Sequence, residues 1–423
     1  MPRLLAVVVA ALVVVPSAGA AWKQISTVGV DNTMQPAVLR TGAGTELAAY
    51  SDRRSTLKVW SSAKGDVTVA TGLLSVGKPA LVQLPAGPIE LYAPATTAGF
   101  ALQGVLRWES ANDGASWSGP FKTGSPNLGD VEAAAVRKDG APMFSQDSTL
   151  GVTVYQGLNG ETSHLVFSGC CGYAESLAVD TNDFAQIAFW SNANAFPNLF
   201  VYEGLDGSGA QAGPGRSFGQ PQTAPRDDDV PLVADGAGRT FMGWAGGYPT
   251  ATSFVVNAFQ GGNLGYSAIA AGGAFSGGDP HMALAVDPAN RLWAVWTQGG
   301  SVHARRSRSA AHHFGASSAG GLGGATAYQL AAIALGDGRV DAFVDTGSTI
   351  VHQAFLPALT VKATRTAASV LDDGFGVPGA TLKGGGHTVK TNAKGKASLA
   401  VFKRHTRIAV SAAGYLNTAF TRP

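Results

Sequence analysis

Seven times along this chain a short apolar run meets a turn residue and a second apolar run follows. The turn residues are Gly44, Gly87, Gly140, Asp183, Gly238, Asn290 and Gly338, and neighbours in this series lie between 43 and 55 residues apart. Gly, Asp and Asn accept the left-handed backbone that tight hairpins require. A period of about 40–50 residues built from strands and turns alone is the signature of a β-propeller, one four-stranded blade per repeat. The sequence therefore predicts an all-β fold, a β-propeller with seven blades, six or eight being the alternatives that insertions in the second, fourth and fifth repeats leave open. Its 56 glycines and a charged content of only 14% fit many short strands joined by tight turns.

The sixth repeat shows the pattern best. Met282 to Val286 is an inner strand, Asp287-Pro288-Ala289-Asn290 a turn, and Leu292 to Trp296 the second strand. Val302 to Arg305 is the third strand, and Phe314-Gly315 is expected to begin the outer one. The last repeat ends at Ile350–Phe355 with no fourth strand of its own, while Trp22 to Val28 is a strand without a blade. Pairing these two closes the ring and removes the open sheet edges.

Composition divides the chain further. Arg3, the apolar run Leu4 to Val15, Pro16 and Ala18-Gly19-Ala20 predict an export signal over residues 1–20, too short to span a bilayer as a helix. Residues 21–358 are assigned to the propeller and 359–423 to a small β-sandwich. From Thr366 onward eight Lys and Arg face only Asp372 and Asp373, whereas residues 21–365 carry a net acidic balance. No further segment is long and apolar enough for a membrane span. The expected location is extracellular or in the cell envelope.

Two segments resemble known families. Ser110-Ala111-Asn112-Asp113-Gly114-Ala115-Ser116-Trp117 resembles the Asp-box of sialidases, Ser-x-Asp-x-Gly-x-Thr-Trp, with Asn112 at the first Asp position and Ser116 for Thr. The resemblance implies a structural hairpin on the face away from the active site. The family's catalytic set is not matched: no Arg-Ile-Pro occurs, and Pro36-Ala37-Val38-Leu39-Arg40 occupies the corresponding strand. Sialidase activity is therefore not expected. Asp373 to Thr381, Thr391 to Ala397 and Ala413-Gly414-Tyr415 resemble carboxypeptidase regulatory-like and bacterial Ig-like domains, which implies an accessory β-sandwich without chemistry.

In a propeller the segment leading into each inner strand lies on the face where ligands usually bind. Read blade by blade, those positions hold Asp31 and Gln35, Lys78, Asp130 and Glu132, Tyr173 and Glu175, Asp227-Asp228-Asp229, Asp279 and His281, and Tyr328. Converging carboxylates there suit a cation such as Ca²⁺, which takes six to eight oxygen ligands, or a sugar, or acid–base work. They equally suit plain solvation of turns. The candidate ligand-binding set is Asp130, Glu132, Tyr173, Glu175, Asp228, Asp229, Asp279, His281 and Tyr328. No cofactor other than Ca²⁺ is implied.

Cys170 and Cys171 are the only cysteines and are adjacent between Gly169 and Gly172. In an exported protein they are candidates for a vicinal disulfide, which would present a stiff platform to a flat ligand; free thiols or simple loop stiffening are the other readings. Two adjacent cysteines do not make a zinc site, whose ligands number four and are spaced. Arg305-Arg306-Ser307-Arg308 with His312-His313 reads as a solvated turn on the outer rim, not as a nucleic-acid patch.

The functional expectation is non-catalytic binding of a glycan or a cell-surface protein. The alternative is an exported glycan-active hydrolase or lyase drawing on Asp130, Glu132, Glu175, Asp229 or Asp279. A purely structural envelope repeat protein is the third reading.

Overall fold

The computed structural model describes residues 21–148, 151–168, 172–191, 198–205, 216–217, 230–246, 253–260, 263–270 and 281–423. The expected export signal, residues 1–20, lies outside them. Among the described residues the fold is built from antiparallel sheets, and no helix is long and apolar enough to cross a membrane.

Seven of the sheets are up-and-down meanders that follow one another along the chain. The first runs Ala37–Arg40, Glu46–Ser51, Leu57–Ser61 and Gly65–Ala70. The innermost strands of the next six are Ala80–Gln83, Val131–Val136, Gly172–Val179, Leu232–Ala234, Met282–Val286 and Gln329–Ala334. The sheets stack through small apolar residues. Ala283, Ala285, Trp293 and Val295 of the sixth meet Leu330, Ala332, Val340 and Ala342 of the seventh. Burial on both faces is why these strands read as apolar runs without alternation.

The first hairpin of every sheet uses one turn. Gly44, Gly87, Gly140, Asp183, Gly238, Asn290 and Gly338 all have positive φ, between 57° and 110°. Each donates its N–H to the carbonyl three residues back, at 2.9 Å from Gly44 to Thr41 and 2.8 Å from Asn290 to Asp287. This is a type I turn followed by a left-handed residue, a three-residue hairpin loop. Where that residue is not Gly, its side chain reaches the preceding sheet. Asp183 Oδ1 accepts from Lys138 N at 2.8 Å and Oδ2 from Arg137 Nη2 at 3.1 Å, while Asn290 Oδ1 accepts from Gly236 N at 2.9 Å.

The Asp-box-like segment forms a hairpin between the third and fourth strands of the second sheet. Ser116 N donates to Asn112 Oδ1 at 2.9 Å and Gly114 N to Ser110 Oγ at 2.9 Å. Asp113 bonds Thr45 of the first sheet, so this hairpin too ties neighbouring sheets.

The seventh sheet takes its outer strand from the start of the described chain. Lys23–Gln24 pairs antiparallel with Ile350–Phe355, with Lys23 opposite His352. Ile350 N donates to Ser26 Oγ at 2.9 Å. Thr27 Oγ1, Tyr50 Oη and Lys58 Nζ all converge on Asp66, which fastens the same segment to the first sheet.

Residues from Thr360 onward form two further four-stranded sheets. They share a cluster that includes Val370, Leu382, Leu399, Phe402, Ile408 and Val410. Their docking corrects one expectation. Arg306, read from the sequence as part of a solvated turn, is 2% exposed at its side chain and donates to Asp372 Oδ2 at 2.5 Å. Tyr415 Oη donates to the same oxygen at 3.1 Å, and Arg306 Nη1 donates to Gly338 O at 3.0 Å. Arg308 N and Ser309 Oγ donate to Asp373 at 2.6 and 3.0 Å. The outer strand of the sixth sheet is Ser318–Gly321 and does not begin at Phe314, although Gly315 N donates to Arg306 O of the third strand at 3.0 Å.

Two outcomes follow from these contacts. Asp183→Gly keeps the left-handed turn and removes the link between sheets, at a cost of about 1 kcal/mol at neutral pH in denaturant unfolding. The Lys138 N–H and the Arg137 guanidinium hold the Asp183 carboxyl below its ordinary 3.8, so its contribution is present above that pH and is lost as pH falls through the lowered value. An Asp183→Gly difference that persists unchanged into acid would contradict the link. Asp372→Asn leaves a buried guanidinium without its counter-charge, a loss of about 3–5 kcal/mol, seen as a Tm lower by roughly 5 °C. An unchanged Tm would show that the pair does not hold the C-terminal sheets in place.

Candidate functional site

The seven inner strands surround a central channel with a cavity of about 200 Å³. Each contributes to the wall, among them Ala37, Leu81, Ala133, Ser176, Leu232, Leu284 and Ala332. The polar groups on the wall are few: Gln35, Glu132 and Ser176. Small residues at the wall follow from geometry, since seven strands converging on one axis leave little room beside it.

Charge gathers at the mouth where the inner strands begin. Arg53, in the turn after the second strand of the first sheet, donates from Nη1 to both oxygens of Asp130, at 2.8 and 2.7 Å. Its Nη2 donates to Thr33 O at 3.0 Å, and its Nε stands 3.5 Å from Asp31 Oδ1. Asp130 Oδ1 also accepts from Lys78 N at 2.8 Å. Lys78 Nζ pairs with Glu132 at 2.6 Å, and the side chains are 4% and 11% exposed. Burial works against the charge of Arg53, and Asp130 outweighs it, holding the guanidinium above its ordinary value. Asp31 is the loosest member of this network, with its side chain 48% exposed.

The rest of the described rim is polar but quieter. Gln35 Nε2 donates to Leu330 O at 2.9 Å, bridging the first and seventh sheets at the wall. Gln329 Nε2 donates to Asn32 O at 3.4 Å, and Gln329 and Asp345, both fully buried, face each other across the seventh sheet. His281 is buried between the sixth and seventh sheets, its Nε2 lying 3.0 Å from Ala327 O. Tyr328 is exposed on the same rim and would meet any Cβ added at Gly347.

The structure thus brings Asp130 and Glu132 together, but each beside a cation contributed by another sheet. Glu175 is fully buried in the inner strand of the fourth sheet, where the register shifts between Tyr173 and Ser176. Ala174 takes a positive φ of 56° in that irregularity, a feature common beside functional sites. Tyr173 is described in its backbone alone. Asp228, Asp229, Asp279, Cys170 and Cys171 lie outside the described residues. Among the described residues the rim carboxylates do not form a group of three whose ligand atoms would share one ion. Sequence reasoning missed Arg53, Gln329 and Asp345. Arg53 and Asp345 flank the turn after a second strand and Gln329 opens an inner strand; the turns after the second strands were not read as part of the rim.

No family model matches the chain, and no curated protein matches it. Solved structures do. An ulvan lyase from a new family of polysaccharide lyases, bound to -[GlcA(1-4)Rha3S]-, aligns with a TM-score of 0.51 at 9% identity, over 81% of this chain and 96% of that one. The NanB sialidase of Streptococcus pneumoniae gives 0.47 at 8% identity, over 68% and 67%. The α-L-arabinofuranosidase Arb93A of Fusarium graminearum gives 0.43 at 9%, over 80% and 98%. The chain shares its propeller fold with the ulvan lyase.

Proposed function

We propose that the protein is an exported glycan-active lyase whose channel mouth receives an acidic saccharide. The observation that carries this reading is the pair of cations, Arg53 and Lys78, held at the mouth by Asp130 and Glu132. Arg53 has one firm carboxylate partner and one loose one. An acidic sugar displacing the exposed Asp31 gains a charge-assisted contact without unpairing Asp130. Removing a proton beside a sugar carboxylate requires that carboxylate to be neutralised, and a preorganised guanidinium does so without reorganisation. A glycosidase instead needs a carboxyl free to act on the glycosidic oxygen, and Asp130 and Glu132 are each taken up in a contact with a cation.

We assign the proton transfer to Tyr328: its Oη takes the proton beside the sugar carboxylate and returns it to the leaving glycosidic oxygen as the C–O bond breaks and the C=C bond forms. It lies on the same rim, its neighbour Gln329 contacts Asn32, and the adjoining Thr33 carbonyl accepts from Arg53. The fold likeness to a lyase bound to a uronate-containing saccharide is consistent with this choice. A second reading, binding without turnover, uses the same cations and is favoured by the full engagement of both rim carboxylates. The C-terminal sheets serve in either case as an accessory unit outside the cell.

The test is an assay of the protein on uronate-containing polysaccharides, following the ultraviolet absorbance of newly formed unsaturated ends and, in parallel, binding. Turnover that drops roughly 100-fold or more in both Arg53→Ala and Tyr328→Phe, with partial recovery in Arg53→Lys, supports the lyase. Binding without turnover that is lost only in Arg53→Ala supports the second reading. Neither turnover nor binding by the folded protein overturns both.

A further inference from the structure

Away from the channel mouth, the seam between the first and seventh sheets holds a second group of chemically capable side chains. Glu46 opens the second strand of the first sheet, Asp341 lies in the second strand of the seventh, and His352 lies in the third. One ligand atom from each lies within 4.8 Å of the other two. We propose that these three residues bind a divalent transition-metal ion, with Zn²⁺ as the probe, that clamps the ring where its two ends meet.

Several features support a cation here. Two carboxylates in contact repel unless a cation or a shared proton lies between them. Asp341 is 1% exposed; its Oδ2 lies 2.7 Å from His352 Nδ1, while its Oδ1 is buried with no hydrogen-bond partner. An orphaned buried carboxylate oxygen is costly, and coordination removes that cost. Aromatic walls fix the imidazole: Trp60 lies 4.7 Å from the His352 ring, centroid to centroid, and Phe343 is stacked on it at 5.6 Å. The nearby cation that would otherwise serve, Arg339, is already paired with Asp337 at 2.7 Å.

The donor set selects the ion. Two carboxylates and one imidazole suit a borderline metal in tetrahedral geometry, with water as the fourth ligand, whereas Ca²⁺ takes only oxygen. Ligands bonded to Zn²⁺ at about 2.0–2.2 Å stand roughly 3.3 Å apart, so the site needs adjustments of ångström size and no change of fold. The ion would join residues that are 295 and 306 positions apart in sequence, by subtraction, across the one seam that the chain closes with a two-residue strand.

The experiment is calorimetric titration of the chelator-treated protein with Zn²⁺ at neutral pH, together with thermal unfolding. One seam ion per chain is expected, with Tm raised by roughly 5 °C at saturation. Asp341→Asn, His352→Ala and Glu46→Gln should each weaken that binding about 100-fold or more and abolish the Tm shift. Glu46→Gln keeps the volume of a half-buried residue, so it reports even where Asp341→Asn does not fold. His312→Ala with His313→Ala removes the exposed adjacent pair and should leave the seam ion in place. Absence of binding, or binding and a Tm shift that survive Glu46→Gln and His352→Ala, would overturn the proposal.

Discussion

A ring of sheets holds only if its last sheet finds an outer strand, and here that strand is two residues long. Lys23–Gln24 supplies it. So short a pairing contributes little by itself, and side chains complete the closure. Ser26 receives Ile350, and Asp66 gathers Thr27, Tyr50 and Lys58. Ile25, Val30 and Met34 of the incoming segment are buried with Tyr50 and Phe343 from the two sheets that flank the seam. The channel depends on this closure, because Gln35 and Leu330 face each other across the seam at the wall itself.

The two ends of the channel are built differently for a physical reason. On one face every sheet reverses through the same three-residue loop, which leaves little room for variation. Asp183, Asn290 and the Asp-box-like hairpin add bonds between sheets there. On the other face the connections vary in length and bring charges from three sheets to one place, with Arg53, Lys78, Asp130 and Glu132 at its centre. The tight face supplies rigidity, and the other face is free to carry chemistry.

Much of this was legible in the residues. The seven turn positions fix the first hairpin of every sheet because only a left-handed residue fits there, and the sequence places Gly, Asp or Asn at each. The level of Asp130, Glu132, His281 and Tyr328 on the rim was legible too, since the strand period sets how far each stands from its turn. Partners were not. Arg53 and Asp130 are 77 residues apart, and nothing local in either segment points to the other. Arg306 read as solvated for the same reason: its counter-charge, Asp372, comes from sheets whose docking no repeat encodes. Glu46, Asp341 and His352 each look like ordinary strand polar residues until the ring brings first and last sheets together.

The lock between Arg306 and Asp372 bears on how the molecule would present itself to a surface. Only residues 356–359 separate the seventh sheet from the C-terminal sheets, and Ala358 bridges both to Ala316 and to Leu416. A connection this short, pinned by a buried ion pair, transmits tilt. If the basic C-terminal unit settles on an anionic layer, the channel axis is set at one inclination to that layer and does not swing freely. Access to the mouth then becomes a matter of bearing: polymer lying along the layer meets the opening from one side only.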